Sequence, residues 1–186
     1  MDGEIIRCPW ADRSPLERAY HDRVWGVPLH DEQGLFGMLC LEGMQAGLSW
    51  STILFKMGAL RTAFDDFDPL IVAEYDERKI AELMETEGII RNRLKIRTMV
   101  RNARAYLRLR EEHGTLDDFL WRYVDFTPLV NAWREAGEIP ARTPLSERIS
   151  RDLKRLGFGF VGPTIVYAFM QATITKIGRA SCRERV

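Results

Sequence analysis

Apolar side chains recur at spacings of three and four residues in four separate windows, and a chain with that period can bury one side only as α-helix. The windows are Leu35-Leu39-Glu42-Ala46, Ile53-Met57-Leu60-Phe64, Ile96-Val100-Ala103-Leu107 and Leu145-Ile149-Leu153-Leu156. Helix punctuation agrees with them. Ser49, Asp68 before Pro69, Thr115, and Thr143 before Pro144 stand where N-caps belong, and Gly114 and Gly157 stand where helices should end. Alternating runs closed by Asn-Gly or Asp-Gly turns are missing, and only Phe158 to Val161 reads as strand-like. The chain is expected to be all-α.

A length of 186 residues, 46% apolar and 29% charged, is enough to bury a core without disulfides and excludes wholesale disorder. With 27 basic and 27 acidic side chains there is no polybasic coat, so contact with a polyanion must come from one face. No run approaches the ~18 apolar residues of a membrane span, and the acidic start does not read as a secretory signal. Cys8, Cys40 and Cys182 are too scattered for a disulfide framework. These features read as a soluble protein of a reducing cytoplasm. Asn131 to Arg142 is the candidate surface connection, or a hinge between two helical lobes.

Glu42 is the most informative single residue. It falls on the apolar stripe of its helix, where a carboxylate needs a partner or takes up a proton, since unpartnered polar burial costs roughly 2–7 kcal/mol. An arginine or helix amides would make it structural; an unfilled pocket would make it functional. Trp10, Tyr20, Trp25 and Trp50 surround it in sequence. Each alone is ordinary core, but together with Glu42 they suit a flat cationic ring, because aromatic faces attract cations by about 0.5–2 kcal/mol per contact.

Three further constellations carry chemistry. Cys8 and His21 are half of a tetrahedral metal site and, alone, equally a buried thiol and a hydrogen-bonded imidazole. The stretch from Arg91 to Arg110 has eight basic residues and no acidic one; Arg97, Arg101, Arg104 and Arg108 line up beside the apolar stripe. A solvated face or a polyanion-binding ridge both fit that pattern. Gly157, Gly159 and Gly162 sit in a short link between two helices, either a plain tight loop or a hairpin offering backbone N–H groups to a phosphate.

Six blocks occur in order: CPW (8–10), AYHDRVWGVP (19–28), LCLEGMQAGLSW (39–50), GIIRNRLKI (88–96), NARAYL (102–107) and GFGFVGPTIVYAFMQA (157–172). Together they resemble the DNA-3-methyladenine glycosylase I family, a branch of the helix-hairpin-helix DNA glycosylases, from about Arg7 to Thr173. The resemblance implies two small helical lobes with a pocket between them. It also implies a monomer acting in the bacterial cytoplasm, at the nucleoid, on double-stranded DNA containing alkylated purines. The activity implied is base flipping and hydrolysis of the N-glycosidic bond of 3-methyladenine without backbone cleavage. Glu42 maps onto the pocket carboxylate, and Trp10, Tyr20, Trp25 and Trp50 onto the pocket aromatics. Arg97, Arg101, Arg104 and the glycines 157, 159 and 162 would meet the DNA backbone.

The same resemblance implies a structural zinc held by Cys8, His21 and a C-terminal His-x3-Cys. Here Arg179 and Arg183 stand at those last two positions, and Cys182 is one residue out of register. The expectation is therefore a single glycosylase domain over 1–175, a non-native or truncated tail over 176–186, and half of the zinc site missing. Without the tail's four basic and one acidic side chains the balance is 23 to 26, a net charge of −3. Two alternatives remain: a DNA-binding module of the same fold with impaired catalysis, and a pocket for a small cationic heterocycle.

Overall fold

In a computed structural model covering residues 7–130 and 138–174, helices follow one another with short links and no extended strand. The tail over 176–186 and the segment 131–137 lie outside the described residues. The described helices are α1 (Pro15–Arg23), α2 (Glu32–Gln45), α3 (Trp50–Ala63), α4 (Pro69–Ala73), α5 (Glu77–Glu85), α6 (Arg93–His113), α7 (Leu116–Trp121), α8 (Pro144–Arg155) and α9 (Pro163–Thr173).

The N-caps expected from sequence are formed. Ser49, Asp68, Thr115 and Thr143 each accept a backbone N–H of the first turn, and Thr143 with Ser146 completes a reciprocal capping box. Ser14, Asp31, Asp76 and Asn92 do the same for α1, α2, α5 and α6. Gly114 and Gly157 take positive φ of 85° and 96° where α6 and α8 end.

Helix α2 is the hub. Leu35 through Met44 are all buried, and it packs against α3, α6, α7 and α9. A helix apolar on every side belongs in the middle of a domain. The expected stripes supply the surrounding core: Ile53, Leu60 and Phe64 from α3 and its end, Ile96, Val100 and Ala103 from α6, Ile149 and Leu153 from α8. One continuous buried cluster joins these elements. Phe158 to Val161 is not a strand. It is the turn between α8 and α9, with Phe160 at φ 51°, because Arg101, Asn102 and Ser150 hold its carbonyls and leave no edge for pairing. Among the described residues no helix is long and apolar enough to cross a membrane.

Candidate active site

A cavity of about 300 Å³ opens where Trp10, α1, the C-terminal half of α2, the start of α3 and the face of α9 meet. That is the lower end of the range for small-molecule sites, about 300–1,000 Å³, and suits one heterocycle. Trp10, Tyr20, Trp25, Glu42 and Trp50 all line it. The rings form a connected wall: Trp10 meets Trp25 edge-on at 5.1 Å between centroids, and Tyr20 lies 5.1 Å from Trp50.

Glu42 is 4% exposed. Burial alone pushes its carboxyl up to about 8, and no donor among the described residues hydrogen-bonds it. The structural explanation of a buried glutamate, an arginine or a set of helix amides, is thereby removed. Burial, and after it the Glu42 charge, also raises the Tyr20 hydroxyl well above its ordinary value. Trp50 Nε1 is likewise buried with no hydrogen-bond partner among the described residues. Native folds leave few buried polar groups unsatisfied, so a buried carboxyl that no donor among the described residues meets, beside a buried indole N–H without a partner among them, makes this cavity the candidate ligand site.

A larger cavity of about 780 Å³ lies between the end of α6, α7 and α8. Of its acids, Glu112 and Asp125 are exposed, and Asp152 accepts from the Tyr123 hydroxyl at 2.6 Å and from Arg155 at 2.8 Å, so it holds no such deficit. The smaller cavity is the candidate site.

Sequence reading missed Glu17, Gln45 and Gln171, which line the same cavity. Glu17 is one turn before Tyr20 on α1, so the spacing of three residues was its only signal. It is 4% exposed and accepts hydrogen bonds from Ser51 Oγ at 2.6 Å and Ser14 Oγ at 3.0 Å.

Cys8 and His21 are both buried, at 5% and 3% exposure. His21 Nδ1 lies 3.0 Å from Asp22 Oδ1, and Arg7 grips the same carboxylate at 2.8 Å. Arg7 first and His21 second lower the Asp22 carboxyl to about 2. A carboxylate behind one ring nitrogen is how ligating imidazoles are oriented. Yet no group of three His, Cys, Asp or Glu able to hold a metal occurs among the described residues. Cys8 is moreover disulfide-bonded, which the scattered cysteines did not suggest, so its sulfur is not a thiolate ligand. Two residues would in any case not close a tetrahedron, and they do not by themselves fit a structural zinc.

The basic ridge of α6 has work inside the fold. Arg101 donates to Gly157 O at 2.6 Å and Phe158 O at 3.1 Å; Asn102 donates to Gly159 O at 3.1 Å and accepts from Gly159 N at 2.7 Å. Arg104 holds Ala73 O and Tyr75 O, Arg108 holds Leu156 O, and Arg97 pairs with Glu77. Lys95 donates to Met44 O at 2.8 Å and Ala46 O at 2.6 Å, capping α2 just beyond Glu42. Gly159 is confined because a Cβ there would lie 2.7 Å from the Thr98 methyl. Gly162 opens α9 with no side-chain cap, so the first-turn N–H groups beyond Pro163 receive no side-chain acceptor from it.

The profile of the methyladenine glycosylase family matches residues 10–182. The DNA-3-methyladenine glycosylase 1 of Escherichia coli is 47% identical over 166 residues, 89% of each chain. The DNA-3-methyladenine glycosylase of Haemophilus influenzae is 42% identical over 89% of this chain and 90% of its own. Among solved structures, 3-methyladenine DNA glycosylase I from Staphylococcus aureus, described for the structural basis of its 3-methyladenine recognition, superposes with a TM-score of 0.87. It is 38% identical, with 91% of this chain and 90% of that one covered. A family profile across nearly the whole chain and relatives at this identity leave one assignment: the chain belongs to the methyladenine glycosylase family.

Proposed function

We propose that this protein excises 3-methyladenine from alkylated double-stranded DNA, hydrolysing the N-glycosidic bond of a flipped-out nucleotide and leaving the backbone intact. The observation that carries this reading is Glu42, buried at an aromatic cavity with no hydrogen-bond donor of its own. A purine alkylated at N3 in DNA is a cation whose polar edge brings donors. It is what such a carboxyl lacks, and the charged base favours the ionised form that burial otherwise disfavours.

The chemistry asks little proton transfer of the protein. As the C1′–N9 bond breaks, its electron pair stays on N9 and neutralises the purine cation, so the leaving group needs no added proton. Positive charge moves to the sugar; water adds to C1′ and releases a proton to solvent. The pocket's task is to hold the cation, exclude water from its faces with Trp10, Tyr20, Trp25 and Trp50, and place the base so that the bond can stretch. Flipping costs a few kcal/mol, and less for a damaged base that pairs poorly.

The duplex would be gripped at the α8–α9 hairpin, where uncapped N–H groups at the start of α9 suit a phosphate. Arg101 spends Nε and one Nη on the hairpin carbonyls, which shapes it, and its remaining N–H groups suit a phosphate contact.

The test is direct: incubate the protein with methylated duplex DNA and chromatograph the released bases. Release of 3-methyladenine with unbroken strands supports the proposal. Duplex binding without base release would make the chain a DNA-binding module instead.

A further inference from the structure

The base pocket contains a second buried carboxylate whose partners differ in kind from those of Glu42. Glu17 Oε1 accepts from Ser51 Oγ on α3, and Glu17 Oε2 accepts from Ser14 Oγ at the start of α1. Ser14 Oγ also accepts the Glu17 backbone N–H at 3.1 Å, closing a compact knot at the α1 N-terminus. One turn further along α1 is Tyr20, and immediately before Ser51 on α3 is Trp50. The Glu17–Ser51 bond therefore spans the same two helices whose rings stand 5.1 Å apart across the cavity wall.

We propose that Glu17 is a positioning residue for the excision reaction. It braces α1 against the first turn of α3, and so fixes the Tyr20–Trp50 wall against which the flipped base stacks. The inference rests on the proposed function for its substrate, and the brace itself rests on the bonds above. A hydrogen bond between a carboxylate and a hydroxyl is short and charge-assisted, so it holds its geometry better than apolar contact alone. Trp50 Nε1 finds no partner among the described residues, so the indole is located by packing and by the helix turn that Ser51 anchors. Loss of the brace should misplace the base while leaving the hairpin, and with it duplex affinity, intact. Misplacement by an ångström can cost about a hundredfold in rate.

The experiment compares Glu17→Gln, Glu17→Ala, Ser51→Ala and the double alanine variant by single-turnover release of 3-methyladenine and by duplex affinity. The Trp50 indole N–H resonance is followed in the DNA-free protein. The expected result is a drop of about tenfold or more in rate for each single alanine variant at unchanged Kd. The double variant should be no slower than either single one, and Glu17→Gln, which can still accept from Ser51, should restore most of the loss. The Trp50 resonance should shift in both alanine variants. Ser51 is exposed at a helix start, so Ser51→Ala carries the test if Glu17→Ala does not fold. Wild-type rates in Ser51→Ala, losses that multiply in the double variant, or an unmoved Trp50 resonance would each overturn the brace. No base release by the wild type would overturn the functional proposal instead, and the resonance would still decide the brace.

Discussion

Gly43, the residue after Glu42 on α2, faces Phe160 of the α8–α9 hairpin so closely that a Cβ on Gly43 would sit 3.2 Å from the Phe160 Cβ. The helix that carries the pocket acid and the turn proposed to grip DNA are thus packed backbone to backbone. Phe160 is held at φ 51°, a conformation that non-glycine residues rarely adopt, so the turn has little room to yield.

Gly43→Ala should therefore disturb both ends of that contact. Duplex affinity and excision rate are expected to fall together, with a thermal midpoint lowered by a few degrees, because overpacking typically costs about 1–3 kcal/mol. Binding titrations and calorimetry on the variant check this. Wild-type affinity with wild-type stability would mean that the hairpin simply moves aside.

Glu42→Gln should stabilise the free protein at neutral and alkaline pH. The folded chain keeps the Glu42 proton up to about pH 8, whereas an unfolded chain releases it near the ordinary value of 4.5. Between those values the folded state binds more protons, so this group makes stability fall as pH rises. The amide removes that slope, for a gain on the order of 3 kcal/mol near pH 7 and none below pH 4. Denaturant midpoints of both proteins from pH 4 to 9 give the measurement; parallel curves would show that Glu42 finds a partner in solution.

Arg101 and Arg104 separate scaffolding from phosphate contact. Each phosphate contact removed flattens the salt dependence of duplex binding by about 0.9. Neutralising both is expected to weaken binding to damaged and undamaged duplexes alike and to lower the slope by roughly one to two units. A lower melting temperature with an unchanged slope would leave both arginines only as holders of the Gly157, Phe158, Ala73 and Tyr75 carbonyls.

Metal binding by this chain should be poor. Cys8 and His21 are at most two donors, Cys8 only once its disulfide is reduced, and a structural zinc needs four. A chain in which Arg179 and Arg183 are replaced by His and Cys is expected to bind zinc tightly and to resist proteolysis near residues 7–25, since metal binding and folding are coupled. Near-stoichiometric zinc in the chain as it stands would contradict the half-site reading.

Most of the helices were legible because their periods and caps are local properties. Ser49, Asp68, Thr115 and Thr143 each cap the helix that their position announces. Glu42 stood out for a related reason, as one carboxylate in an apolar stripe. Glu17 did not, because α1 is mostly polar and its burial comes from α3, a long-range contact with no local trace. The α6 arginines looked like a ridge for the same reason: sequence shows the side of the helix they occupy, while the carbonyls they hold belong to α4, to the α4–α5 link and to the α8–α9 hairpin, as distant as 57 residues. The strand-like run at Phe158 to Val161 failed because β-prone residues become a turn when neighbouring side chains take up their carbonyls.

The central claim is that Glu42 meets the flipped base and not the fold or the phosphates. Its most direct test is the single-turnover release of 3-methyladenine by Glu42→Gln beside its affinity for the same duplex. The account predicts that excision falls by at least about tenfold, the equivalent of losing one charge-assisted hydrogen bond of roughly 1.5–3 kcal/mol, while duplex affinity stays within about twofold. Equal loss of excision and of binding would make Glu42 a structural acid and contradict the account.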